Sequence, residues 1–74
     1  MFDLSLRQAE RIRRYSIHPR GESGWEVTLE EGRTLRRRDL YRDWHRVERA
    51  KARFEREVFE LTSQGWEIEP AAAG

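Results

Sequence analysis

Apolar and polar positions alternate with a period of two from Trp25 to Glu30. Trp25, Val27 and Leu29 fall on one side and Glu26, Thr28 and Glu30 on the other. That is the pattern of a half-buried strand. A second strand is predicted from Arg13 to His18, with Tyr15 and Ile17 on one face and Arg14, Ser16 and His18 on the other. Between them, Pro19-Arg20-Gly21-Glu22-Ser23-Gly24 is turn chemistry. Glu30-Glu31-Gly32 reads as a three-residue hairpin loop with glycine in the left-handed position. Such a loop sets a register for the third strand. Leu29 then faces Arg33, Val27 faces Leu35 and Trp25 faces Arg37 on the core side, while Glu26 opposes Arg36 and Thr28 opposes Thr34 on the other. Arg37 beside Trp25 makes a cation–π contact in this register.

The period changes after Tyr41. Val47, Ala50, Phe54, Val58 and Leu61 recur at three- and four-residue steps, which predicts one long amphipathic helix from Trp44 to about Gln64. Asp43 is suited to cap it, with Asp39 as the alternative. Gly65 suits the left-handed residue after the helix, and Trp66 is then placed to pack on Leu61. At about 1.5 Å per residue this helix is roughly 31 Å long. A six-residue strand reaches only about 20 Å, so the helix is expected to overhang the sheet. Trp66-Glu67-Ile68-Glu69 has the option of a short fourth strand. For Met1 to Arg11 there are two readings: Asp3 or Ser5 caps a short helix carrying Leu6, Ala9 and Ile12, or the terminus frays. The expected fold class is α+β: a three-stranded antiparallel β-meander packed on one long C-terminal α-helix. It forms a single domain over residues 1–69, with residues 70–74 a disordered tail.

From Ala50 onward the chain resembles the end of WGR-type domains. The residues that carry this are Ala50, Phe54 and Val58, then Gly65-Trp66 where that family has Gly-Tyr, after a β-meander. The Trp-Gly-Arg signature is absent; Gly24-Trp25-Glu26 and Gly32-Arg33 are different arrangements. WGR domains contribute to DNA binding in DNA-damage-responsive proteins, so the resemblance implies a nucleic-acid partner. It carries no binding residue over to this chain.

Charge sharpens that expectation. The net charge of +1 conceals an asymmetry. Gly32–Phe54 holds nine basic and three acidic residues, a net of +6, whereas Glu55–Gly74 has a net of −4. Fourteen of the fifteen basic residues are arginine, the side chain best suited to bidentate phosphate and carboxylate contacts. Codon bias in a GC-rich genome is the competing explanation. Arg42, Arg46, Arg49, Arg53 and Arg56 form a stripe that falls within roughly an 80° sector of the helix, away from the apolar face. Arg42 with Arg46 and Arg49 with Arg53 are like-charged neighbours at i,i+4, near a helix N-terminus that disfavours cations. Arg53–Glu57 and Arg56–Glu60 are expected to pair. The stripe is either an anion-binding surface or an ordinary solvated face. Arg14, His18, Arg36 and Arg38, with Ser16, Thr28 and Thr34, are expected on the open sheet face, where Glu26 and Glu30 reduce the potential. Phe59 lies off the apolar face, with Tyr41 assigned to the same side. It is either covered by the chain itself or, with Tyr41 and Trp66, an interface for a protein partner or a second copy.

Catalysis has little support. There are two histidines, no cysteine, no His-Glu-x-x-His and no glycine-rich phosphate loop. Asp39, Asp43 and His45 can be drawn as a metal cluster, but Asp43 is accounted for as a cap. A ligand pocket of several hundred cubic ångströms is more than this core is expected to spare. No apolar run reaches the roughly 20 residues of a membrane span, no secretory signal is expected at the start, and the lack of cysteine fits a reducing cytoplasm. The expectation is a small non-enzymatic binding module without metal or cofactor. It binds nucleic-acid backbone through Arg42, Arg46, Arg49 and Arg53, or alternatively serves as a homodimeric or protein-interaction module.

Overall fold

The computed structural model describes residues 2–69; the tail expected over residues 70–74 lies outside them. The order of elements is β1 (Phe2–Gln8), β2 (Arg11–Pro19), a 3₁₀ turn (Gly21–Ser23), β3 (Trp25–Glu31), β4 (Thr34–Tyr41), α1 (Trp44–Ser63) and β5 (Glu67–Glu69). All five strands join one antiparallel sheet in the order β4-β3-β2-β1-β5. The fold is therefore α+β with one long helix on an antiparallel sheet, but the sheet has five strands rather than three.

The additional strand at the start corrects the reading of the first eleven residues. Phe2, Leu4 and Leu6 alternate with Asp3, Ser5 and Arg7, and β1 pairs with β2 from Phe2↔Ile17 to Gln8↔Arg11. Leu6 is fully buried. Asp3 caps nothing; it accepts two hydrogen bonds from Arg14 across the strand pair, at 3.1 and 2.8 Å. The option of a strand after Trp66 is realised, and β5 pairs with β1 through Ser5↔Glu69 and Arg7↔Glu67.

The β3–β4 register also differs from expectation. The loop is the two residues Gly32-Arg33, with Glu31 opposite Thr34 and Gly32 at φ 61°. A bulge then shifts the ladder between Leu29 and Glu30, so that Glu30 pairs with Leu35 but Leu29 pairs with Arg37. The extra residue on β4 is Arg36. Val27 consequently stands opposite Asp39, and Trp25 opposite Tyr41. Leu35 turns to the open face and is half exposed. Arg37 pairs with Asp39 instead of lying on Trp25, whose indole packs against Trp44 at a centroid distance of 5.0 Å.

The helix forms as its pattern predicts. Asp43 accepts from the His45 backbone N–H at 3.0 Å. At the other end Gly65 takes φ 99°, the Trp66 N–H donates to Leu61 O at 3.0 Å, and the Gly65 N–H donates to Thr62 O at 3.2 Å. This is the Schellman arrangement. β2 is nine residues long, roughly 30 Å, about the length of the helix and longer than the six-residue strand on which the expected overhang rests. The far end of α1 is tied down where the Gln8 side-chain amide donates to Gln64 O at 2.9 Å. Leu6, Tyr15, Ile17, Val27, Val47, Ala50, Phe54 and Trp66 make the core between the layers. At its centre Phe54 meets Tyr15 nearly edge-on, with centroids 4.8 Å apart.

Candidate functional site

The periodicity that buries Val47, Ala50 and Phe54 sends Arg46, Arg49 and Arg53 to one flank of the same helix. That flank faces the β4 side of the sheet. Arg46, Arg49 and Arg53 line an open cleft of about 340 Å³ together with Tyr41, the last residue of β4. Arg42 lies before α1, in the short link from β4, and is exposed; Arg56 is exposed on the helix. Neither lines the cleft. The helical stripe thus begins at Arg46.

Among the described residues, the arginine–carboxylate ion pairs all lie on the sheet. Arg7 pairs with Glu69, and Arg14 with Asp3. Arg11 and Arg13 both reach Glu31, at 3.0 and 3.3 Å. Glu26 is buried, 7% exposed, between Arg20, at 2.7 Å, and Arg38. Hydrogen bonds from Arg20 and then Arg38 hold the Glu26 carboxyl below its ordinary range. The Asp39 partner raises the pKa of Arg37. Among the described residues no ion pair reaches Arg42, Arg46, Arg49, Arg53 or Arg56. The expected pairs Arg53–Glu57 and Arg56–Glu60 are not formed.

The open sheet face is neutralised. Arg14 and Arg38 are held by Asp3 and Glu26, His18 stands 3.8 Å from Asp3, and the hydroxyls of Ser16 and Thr28 bond to each other. Thr34, opposite Glu31 after the register change, is not on that face. The unpaired positive charge is therefore concentrated on the helix flank and the β3–β4 turn.

No known protein family, curated protein or solved structure matches the chain. The functional reading rests on the cleft.

The three aromatic residues expected to act together are separated. Phe59 is 72% exposed on the helix, Tyr41 stands in β4 beside the arginines, and Trp66 is a core residue at 5% exposure. Burial of Trp66 follows from the helix stop, which turns the chain back toward β1, where β5 joins the edge of the sheet. Tyr41 was identifiable only as an aromatic residue; its place in the cleft comes from the strand ending two residues before the Asp43 cap. A second depression, about 310 Å³, lies over Phe2, Ile17, Trp25, Trp44 and Val47, with Glu48 and Lys51 also lining it. The layers therefore leave more concavity than the chain length suggests. Among the described residues no cluster of three or more His, Cys, Asp or Glu side chains is placed to hold a metal ion, and no helix is long and apolar enough to cross a membrane.

Proposed function

We propose that this domain is a non-enzymatic module that binds the phosphate backbone of nucleic acid. Arg46, Arg49 and Arg53 contact phosphates from the cleft, and Arg42 adds to the same field. One observation carries the reading: Arg7, Arg11, Arg13, Arg14, Arg20, Arg37 and Arg38 each hold a carboxylate, whereas these four hold none among the described residues. A sequence with fourteen acidic residues leaves its helix arginines uncompensated, against local repulsion and an unfavourable helix end. An anionic partner removes both penalties. Contacts of this kind position a partner without reading its sequence.

The test is fluorescence anisotropy of labelled single- and double-stranded DNA and RNA at about 50 and 200 mM salt. Binding through several phosphates loses orders of magnitude in affinity over that range. The double variant Arg46→Ala/Arg49→Ala weakens binding and flattens the salt dependence; an unchanged slope contradicts the assignment.

A second reading rests on Phe59. A phenylalanine 72% exposed on a long helix is an anchor for a protein partner or a second copy of the chain. Light scattering that finds a monomer at high concentration removes the homodimer.

A further inference from the structure

We propose that the cleft takes a single strand, with one unstacked base lying on the ring of Tyr41 and the neighbouring phosphates on Arg46, Arg49 and Arg53. This rests on the nucleic-acid reading above and goes on to name the form of nucleic acid.

Three observations carry it. The cleft is lined by three arginines and one tyrosine, the residue types that together hold single strands: charge follows the backbone, and a π-face accepts any base. Tyr41 is only partly buried and packs against the core, so its ring is already fixed and little side-chain freedom is lost when a base settles on it. The cleft is also open on its outer side, so a strand can enter it without any part of the fold moving. With about 340 Å³ between the helix flank and β4, it has room for a group of nucleotide size. In a duplex the bases are stacked and paired, so a duplex presents only phosphates here and leaves Tyr41 unused.

The arrangement along the chain agrees. Arg46, Arg49 and Arg53 span about 10 Å of helix axis, a length suited to successive phosphates of one strand. Tyr41 belongs to β4, an edge strand, so no further strand among the described residues covers that side. The stacking residue and the phosphate-binding residues therefore sit on different elements, joined through the Asp43 cap. A base and its phosphates separate in the same way on leaving a stack.

The experiment compares a short labelled oligothymidine with a hairpin duplex carrying the same number of phosphates, at about 50 mM salt. The oligothymidine is expected to bind about tenfold more tightly. Tyr41→Leu keeps apolar bulk against the core but removes the aromatic plane. It is expected to lower oligothymidine affinity about 5- to 150-fold, the range of one base–aromatic stack, while duplex affinity changes less than about 2-fold. Tyr41→Phe keeps the tight binding. With the unaltered protein, photocrosslinking to an oligonucleotide containing 5-bromouracil is expected to give an adduct on Tyr41. Equal or tighter duplex binding, no effect of Tyr41→Leu, or an adduct confined to other residues overturns the stacking role and leaves the backbone reading standing. Failure of both probes to bind overturns both.

Discussion

The guanidinium of Arg11 lies over the indole of Trp66, 5.1 Å from the ring centroid. It joins the β1–β2 turn to the segment that leaves the helix. The two partners contribute very unequally. Trp66 is a buried core residue, and Trp66→Ala is expected to lower stability by about 3–5 kcal/mol. Arg11→Ala removes an exposed cation and is expected to cost about 1 kcal/mol or less. Chemical denaturation of both variants checks this, and equal losses would contradict the assignment of Trp66 to the core.

Two turn residues are expected to respond in opposite directions. Gly24 has φ 100°, and a Cβ there would overlap the Tyr41 carbonyl oxygen and lie 2.9 Å from Arg42 Cα. Gly24→Ala is expected to cost at least about 2 kcal/mol. Ala9 has φ 55°, in the region that disfavours any side chain, so Ala9→Gly is expected to stabilise by about 1 kcal/mol. Thermal melts of the two variants separate the effects.

Removing cleft arginines is expected to spare the fold. Arg49→Ala relieves a like-charge neighbour at Arg53 and introduces a stronger helix former. Stability is expected to stay level or rise by up to about 0.5 kcal/mol while nucleic-acid affinity falls. A loss above about 1 kcal/mol would mean that Arg49 is retained for the fold instead.

Stability should decline at both ends of the pH scale. Hydrogen bonds from Arg14, Arg20 and Arg11 hold Asp3, Glu26 and Glu31 respectively below their ordinary values of 3.8, 4.5 and 4.5. The unfolded chain binds protons first as pH falls. This contribution is therefore complete above about pH 4.5 and is lost as pH drops through the folded values. At the alkaline end burial raises the pKa of Tyr15 above 10.0. The unfolded phenol ionises first, and stability is lost as pH rises beyond about 10. Melting temperature against pH tests both limbs, with Glu26→Gln flattening the acid one and Tyr15→Phe the alkaline one.

Much of this architecture was legible because its patterns are local. Val47, Ala50 and Phe54 mark the helix face, Asp43 its start, and Gly65-Trp66 its stop. β1 carries an equally regular alternation from Phe2 to Leu6, but Asp3 and Ser5 are also good caps, and only pairing with β2 decides between strand and helix. The bulge at Arg36 was not legible. In a run of three arginines nothing distinguishes an inward from an outward position, and a bulge changes register without changing composition. The arginine stripe was readable from spacing. Its meeting with Tyr41 was not, because it depends on where the helix lies across the sheet.

The strand order carries a kinetic consequence. β1 to β4 are joined as successive hairpins, so their loops close over short stretches of chain and can form early. β5 pairs with β1 from the opposite end of the sequence, so that closure spans nearly the whole chain and carries the largest loop-closure entropy. The gap between Tyr41 and the helix arginines exists only when α1 lies on the sheet. An anion held there binds the docked state alone and draws the equilibrium toward it, acting as a latch between helix and sheet.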